Sequence, residues 1–182
     1  MNTAIARNHD QMIARPWQGR ELGPFPAGWI KNFVRGHGDF VDAASTDARD
    51  HLVVVAANGR IHAIGGRLNT SSENVDQHDV YNPATNSWQA GLPLPTARSG
   101  IAGALYQGKI FVAGGECRDK KTFNEFEGYD VKSGRWSAFS PMPVGRHGFG
   151  GVVVGNSLYF AAGGIECGGG GRSNDLLVFN LP

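Results

Sequence analysis

The stretch "IFVAGGECRDKKTF", residues 110–123, decides how the chain is read. An apolar run ends on two adjacent glycines, Gly114 and Gly115. A polar segment with Glu116, Cys117, Arg118, Asp119, Lys120 and Lys121 follows. Glycines beside charges can cradle a phosphate at a helix N-terminus, or they can end a buried strand where neighbouring backbones crowd. A phosphate loop requires a Gly-x-x-x-x-Gly-Lys-Ser/Thr motif that opens a helix, and this segment carries neither. A strand end should recur if the fold is built from repeats.

It does recur. "IHAIGG" (61–66), "IFVAGG" (110–115) and "LYFAAGG" (158–164) share the ending, and the first glycines of the pairs, Gly65, Gly114 and Gly163, stand 49 residues apart each time. Arg49, Arg98 and Arg146 precede the pairs by 16, 16 and 17 residues, and an aromatic follows at Tyr81, Tyr129 and Phe179. Trp88 and Trp136 each come seven residues after their tyrosine. Pro93-Leu94-Pro95 and Pro141-Met142-Pro143 come next, with arginine three residues beyond. Five kinds of landmark recurring together make a repeat of about 50 residues.

Each repeat divides into short strands. In the middle copy "SGIAGALY" (99–106) is small and apolar, Gln107-Gly108 signals a tight turn, and "KIFVAGG" is a second apolar run. "NEFEGYDV" (124–131) alternates, and "KSG" turns the chain into "RWSAF" (135–139). Four strands with turn signals between them, and no helical period, predict an all-β blade. The glycine pair then ends the second strand, with φ > 0 where needed. The tryptophan is expected to pack against the next blade, and the prolines fix the crossover to it.

The pairs, the Tyr/Trp spacing and the strings "PTARSGIAGALYQGKIFVAGG" and "PVGRHGFGGVVVGNSLYFAAGG" resemble the kelch repeat over residues 49–182. The resemblance implies a β-propeller of four-stranded antiparallel blades, with about three blades in this chain. The last repeat stops at "DLLVFNLP" (175–182), before its tryptophan, so its blade should lack a fourth strand. Residues 1–48 read as an N-terminal extension. Within it, "RPWQGRELGPFPAGW" (15–29) resembles a donated outer strand, with Trp17 ahead of Pro24-Phe25-Pro26. A three-blade arc leaves two apolar faces uncovered, and repeat units bury their cores only against neighbours. A homodimer completing a six-bladed ring is one solution; a fragment of a longer propeller, or a chain capped by 1–48, is another.

Composition narrows the function. Lys+Arg 17 against Asp+Glu 16 gives a net charge of +1, so no global field argues for nucleic acid or an anionic membrane. No run of about 18 apolar residues suggests a span, and the N-terminus has no secretory h-region; the cytoplasm is the expected compartment. Two cysteines make neither a disulfide framework nor a zinc site. Cys117 and Cys167, in loops of adjacent blades, are expected to be free thiols because a disulfide needs Cα atoms within about 7 Å.

Antiparallel order places the strand 2–3 loops and strand 4–1 connections on one face. In adaptor-type kelch propellers, arginines opening the first strand receive acidic peptides. The resemblance therefore points to Arg49, Arg98 with Ser99, and Arg146 with His147, joined by Arg118 in the loop, as binding residues. The competing reading gives each arginine a backbone carbonyl or carboxylate between blades. No HxH or HExxH spacing supports a metal, and no cofactor is expected. The first functional reading is a binding module for a protein or acidic peptide. The alternative is a carbohydrate-active propeller such as a sialic-acid mutarotase, with Glu116, Glu166, His51 and His147 as acid–base candidates.

Overall fold

A computed structural model describes residues 47–181 apart from Ser71 and Arg118. Among these residues eleven strands form three antiparallel sheets, and the single helical element is a 3-10 turn at Cys167–Gly169. The first sheet holds β1 (Val53–Ala57), β2 (Arg60–Ile64), β3 (His78–Asn82) and β4 (Ser87–Ala90). The second holds β5 (Ala102–Tyr106), β6 (Lys109–Ala113), β7 (Phe126–Asp130) and β8 (Arg135–Ala138). The third has three strands, β9 (Gly150–Val154), β10 (Ser157–Ala161) and β11 (Leu176–Asn180), matching the truncated last repeat. Spatial order follows chain order in every sheet. The first strands adjoin one another, β1 beside β5 and β5 beside β9, so the sheets fan from a shared axis as propeller blades. The segment 15–29, read as a donated strand, lies outside the described residues.

Chemistry at short range builds each blade. Asn58-Gly59 and Gln107-Gly108 both have positive φ at both residues, the tight turn whose twist matches its flanking strands. β6, "KIFVA", is buried on both faces, which explains an unbroken apolar run where half-exposed strands alternate. Ile110 and Val112 pack with Val53, Ile64 and Tyr129 between the first two blades. Phe111, Ala113 and Phe126 pack with Leu158 and Phe160 between the second and third. Trp136 corrects one expectation. It lies 5.2 Å from Tyr129 and 6.2 Å from His78 by ring centroids, and its indole N–H donates to the Leu92 carbonyl at 3.0 Å. The tryptophan therefore faces the preceding blade, because the Tyr129 face of β7 points there.

Two backbone hydrogen bonds stitch each blade to the next. Gly66 N–H donates to the Arg98 carbonyl at 3.0 Å, and Gly100 N–H donates back to the His51 carbonyl at 2.8 Å. One blade later, Gly115 N–H donates to Arg146 and Gly148 N–H to Gly100, at 2.8 and 2.9 Å. This close approach demands the glycine pair. A Cβ on Gly65 would stand 2.7 Å from the Arg98 carbonyl oxygen, and Gly65 and Gly114 hold φ of 66 and 67°.

The third repeat is offset by one residue from its apparent glycine spacing. Gly65, Gly114 and Ala162 donate the equivalent N–H bonds, to Gln77, Glu125 and Asp175. Ala162 thus fills the place of the first glycine and Gly163 that of the second. The constant 49-residue step between glycines does not follow the structural register in the last blade.

Candidate interaction face

The arginines that open the blades were the first binding candidates. Each reaches across its own blade to carbonyls at the end of the second strand. Arg49 Nε donates to Gly65 O at 2.9 Å, its Nη2 to Ala63 O at 3.1 Å and its Nη1 to Asp79 at 2.7 Å. Arg98 repeats this with Gly114 O (2.8 Å), Val112 O (3.2 Å) and an ion pair to Glu127. Arg146 donates to Ala162 O at 2.9 Å but finds only the exposed Asp175, at 3.3 Å, because Leu177 occupies the position that Asp79 and Glu127 hold in the other blades. Arg98 and Arg146 have no exposed surface, so their guanidinium groups are committed to the blades. Ser99 is fully buried and His147 nearly so. Arg118 is not among the described residues.

What crosses the loop face instead is a chain of ionic contacts one residue further out. Arg67 and Glu116 occupy the same position, immediately after the glycine pair of their blades. Arg67 Nε donates to Asp50 at 2.9 Å, its Nη2 lies 3.0 Å from His51 Nε2, and its Nη1 reaches Glu116 of the next blade at 3.3 Å. Asp50 also contacts His51 at 2.8 Å. These hydrogen bonds, from His51 first and Arg67 second, hold its carboxyl below the usual range. Glu116 accepts from Gly168 N–H at 3.2 Å, and its other oxygen lies 3.6 Å from His147 Nδ1. Asn74 Nδ2 donates to the Glu116 carbonyl at 2.9 Å. Three blades are linked through Glu116, a buried carboxylate with opposite charge on one side and a backbone donor on the other, as buried charge requires.

The acid–base candidates are brought together only in part. Glu116 and His147 approach each other, while His147 Nε2 faces the Glu166 backbone carbonyl at 2.9 Å and His51 turns to Asp50 and Arg67. Arg67, Asn74 and Gly168 were missed. The available signal was positional, since Arg67 and Glu116 both follow a glycine pair, but their opposite charges hid the equivalence. Among the described residues no cluster of His, Cys, Asp and Glu is placed to hold a metal ion.

The cysteines correct the expectation of free thiols. Cys117 and Cys167 form a disulfide with Cα atoms 5.5 Å apart. The loops that carry them converge: Lys121 pairs with Glu166 in an isolated β-bridge, and Thr122 Oγ1 donates to the Ile165 carbonyl at 3.1 Å. Blade-to-blade separation at the loop bases does not fix the separation at their tips.

Residues 50–182 match the family model of the KLHDC2/KLHL20/DRC7 Kelch-repeats domain. The chain belongs to the kelch-repeat family. This kelch-repeat protein is 34% identical over 73 residues to human Kelch-like protein 33, and 33% identical over 69 residues to Kelch-like ECH-associated protein 1B of Danio rerio. The matches cover 40% and 37% of this chain but only 13% and 12% of those relatives. The kelch blades of this chain form a module of the kind used for protein interaction, and no helix among the described residues is long and apolar enough to cross a membrane.

Proposed function

We propose that the protein binds a partner protein through the face that carries the strand 2–3 loops and strand 4–1 connections, and that the partner presents acidic side chains there. The observation that carries this reading is the chain of polar contacts through Asp50, His51, Arg67, Glu116 and His147, with ion pairs at Asp50–Arg67 and Arg67–Glu116, which runs over three blades on that face. A propeller supplies a rigid base, and loops that differ from blade to blade write the specificity. Arg49, Arg98 and Arg146 act beneath the surface by holding the loop bases in register. Cationic contact with the partner falls to Arg67, Lys120, Lys121 and Arg172. One relative is named for its association with ECH, which agrees with a protein partner. The cytoplasm remains the proposed compartment; there the Cys117–Cys167 pair would be held reduced, since cytosolic disulfides are rare.

Binding to an array of peptides graded in Asp and Glu content tests the reading. Arg67→Ala and Lys121→Ala should each weaken the acidic peptides by about 10-fold. Lys132→Ala, on the opposite face, should leave them unchanged. Equal binding by all three variants with intact folds would overturn the proposal.

A further inference from the structure

Four consecutive glycines, Gly168 to Gly171, follow Cys167 at the tip of the third blade's strand 2–3 loop, and the other two blades have no such run. Gly168, Gly169 and Gly171 hold φ of 77, 85 and 58°, and Gly168 and Gly169 have open space where a Cβ would point. This tip carries no side chain that could pack. The facing loop of the second blade is the reverse. Cys117, Asp119 and Lys120 hold φ of 59, 50 and 62°, the left-handed region that disfavours residues with a Cβ. One loop is slack, and the other is held in a conformation its side chains resist.

At their bases the two loops are joined without sulfur. Lys121 pairs with Glu166 in a β-bridge, and Thr122 Oγ1 donates to the Ile165 carbonyl. Beyond that base the tips meet through the Cys117–Cys167 disulfide and through Gly168 N–H, which donates to Glu116 Oε1 at 3.2 Å. Both cysteines keep partial solvent exposure, and exposed disulfides are the readily exchanged ones.

We propose that Cys117 and Cys167 form a redox switch that closes and opens the loop face, with a small thiol–disulfide couple as its reactant. To open it, a thiolate attacks one sulfur and forms a mixed disulfide, while the other cysteine leaves as a thiolate and takes a proton. A second thiol displaces the first cysteine, which is protonated in turn. Two electrons and two protons pass to the cysteines, and the two small thiols leave as one disulfide. Closure is the reverse. In the closed state Glu116 keeps the Gly168 donor, and Lys120, Lys121 and Arg172 are carried on tied loops. In the open state 117–120 and 167–171 separate about the Lys121–Glu166 base, Gly168 withdraws, and Glu116 turns a less compensated charge toward the face. The closed state therefore binds an acidic partner more tightly, through pre-organised cations and weaker like-charge repulsion. That consequence rests on the acidic-partner reading above; the opening itself does not. In a reducing compartment the open state is the resting one, and oxidation turns the face on.

The full chain is equilibrated in glutathione buffers from fully reduced to fully oxidised, and its free thiols are counted by alkylation and mass spectrometry. Reversible closure within that range is expected. On reduction, hydrogen exchange should quicken in 167–171 while β6, β7 and β10 keep their protection. Asp- and Glu-rich peptides should bind the closed state about 10-fold more tightly, and Cys117→Ser with Cys167→Ser should give the weaker affinity in both buffers. A bond that no glutathione ratio reduces, tips that exchange alike in both states, or protection lost throughout the blades on reduction would each overturn the switch. Equal peptide affinity of the two states would overturn its effect on binding. If neither state binds these peptides, the acidic-partner reading fails and the exchange data alone decide the switch.

Discussion

At the scale of single residues, the buried arginine–carboxylate pairs decide how the blade bases are held. Arg98 and Glu127 are almost without solvent contact, and removing one member leaves the other charge buried without its counter-ion. Glu127→Ala should therefore lower stability by about 3–5 kcal/mol, measured by urea denaturation. A fully folded Glu127→Ala protein with unchanged stability would remove the pair from the structural account. Asp175→Ala should do far less, because that carboxylate is 60% exposed where it meets Arg146 and exposed pairs contribute little. Ala162 holds φ of 61°, a region that disfavours side chains. Ala162→Gly should stabilise the protein by about 1 kcal/mol, seen as a raised melting temperature. The arginines were legible in sequence as a periodic set. Their role was not, because a guanidinium that lines a pocket and one that caps strand carbonyls occupy the same position in a repeat.

At the scale of elements, two joints between blades respond to solution conditions. His62 and His78 occupy the places that the stacked pair Phe111 and Phe126 holds one blade later. His62 Nδ1 and His78 Nε2 are 2.9 Å apart, and His78 Nδ1 lies 3.1 Å from the Leu92 carbonyl. This order leaves His62 Nε2 as a buried acceptor without a partner. Burial, then the neighbouring His78 and Arg60, lowers the His62 pKa from 6.5 to about 4, and burial lowers that of His78 as well. Unfolded histidines bind protons that the folded ones refuse. Stability is therefore full above about pH 6.5 and falls as the pH drops towards about 4. Denaturation midpoints at pH 7 and pH 5 should show this fall. The double variant His62→Phe, His78→Phe should flatten it, and an equally steep fall in that variant would refute the assignment. The disulfide governs the second joint. Reduction, or Cys117→Ser with Cys167→Ser, should cost about 2–4 kcal/mol and speed amide exchange across 165–173, where Gly168 holds Glu116. The sequence announced the strands and turns, since their period is local. It could not announce the disulfide, because loop tips approach through contacts such as Thr122 to Ile165 that no spacing encodes.

At the scale of the whole molecule, blades lean on one another for their interiors, so core damage at one joint should spread. Phe126 packs on Phe111 and Phe139 of its own blade and on Phe160 and Phe179 across the second joint. Phe126→Ala should cost about 3–5 kcal/mol, with β5–β11 losing protection together in hydrogen exchange. Protection lost only within β7 would show that the blades unfold independently. The sequence by itself determined the repeat and the four-stranded blade, because each follows from short-range rules: strand alternation, turn chemistry, and glycine where backbones meet. Only the tertiary structure decided that Ala162 stands in a glycine's place, that Trp136 faces backwards, that the arginines are buried, and that Arg67 and Glu116 carry charge from blade to blade. Those are properties of register and approach between distant segments. A hydrogen-bond ladder fixes them to within one residue, and a one-residue shift leaves almost no mark on the spacing of the motifs.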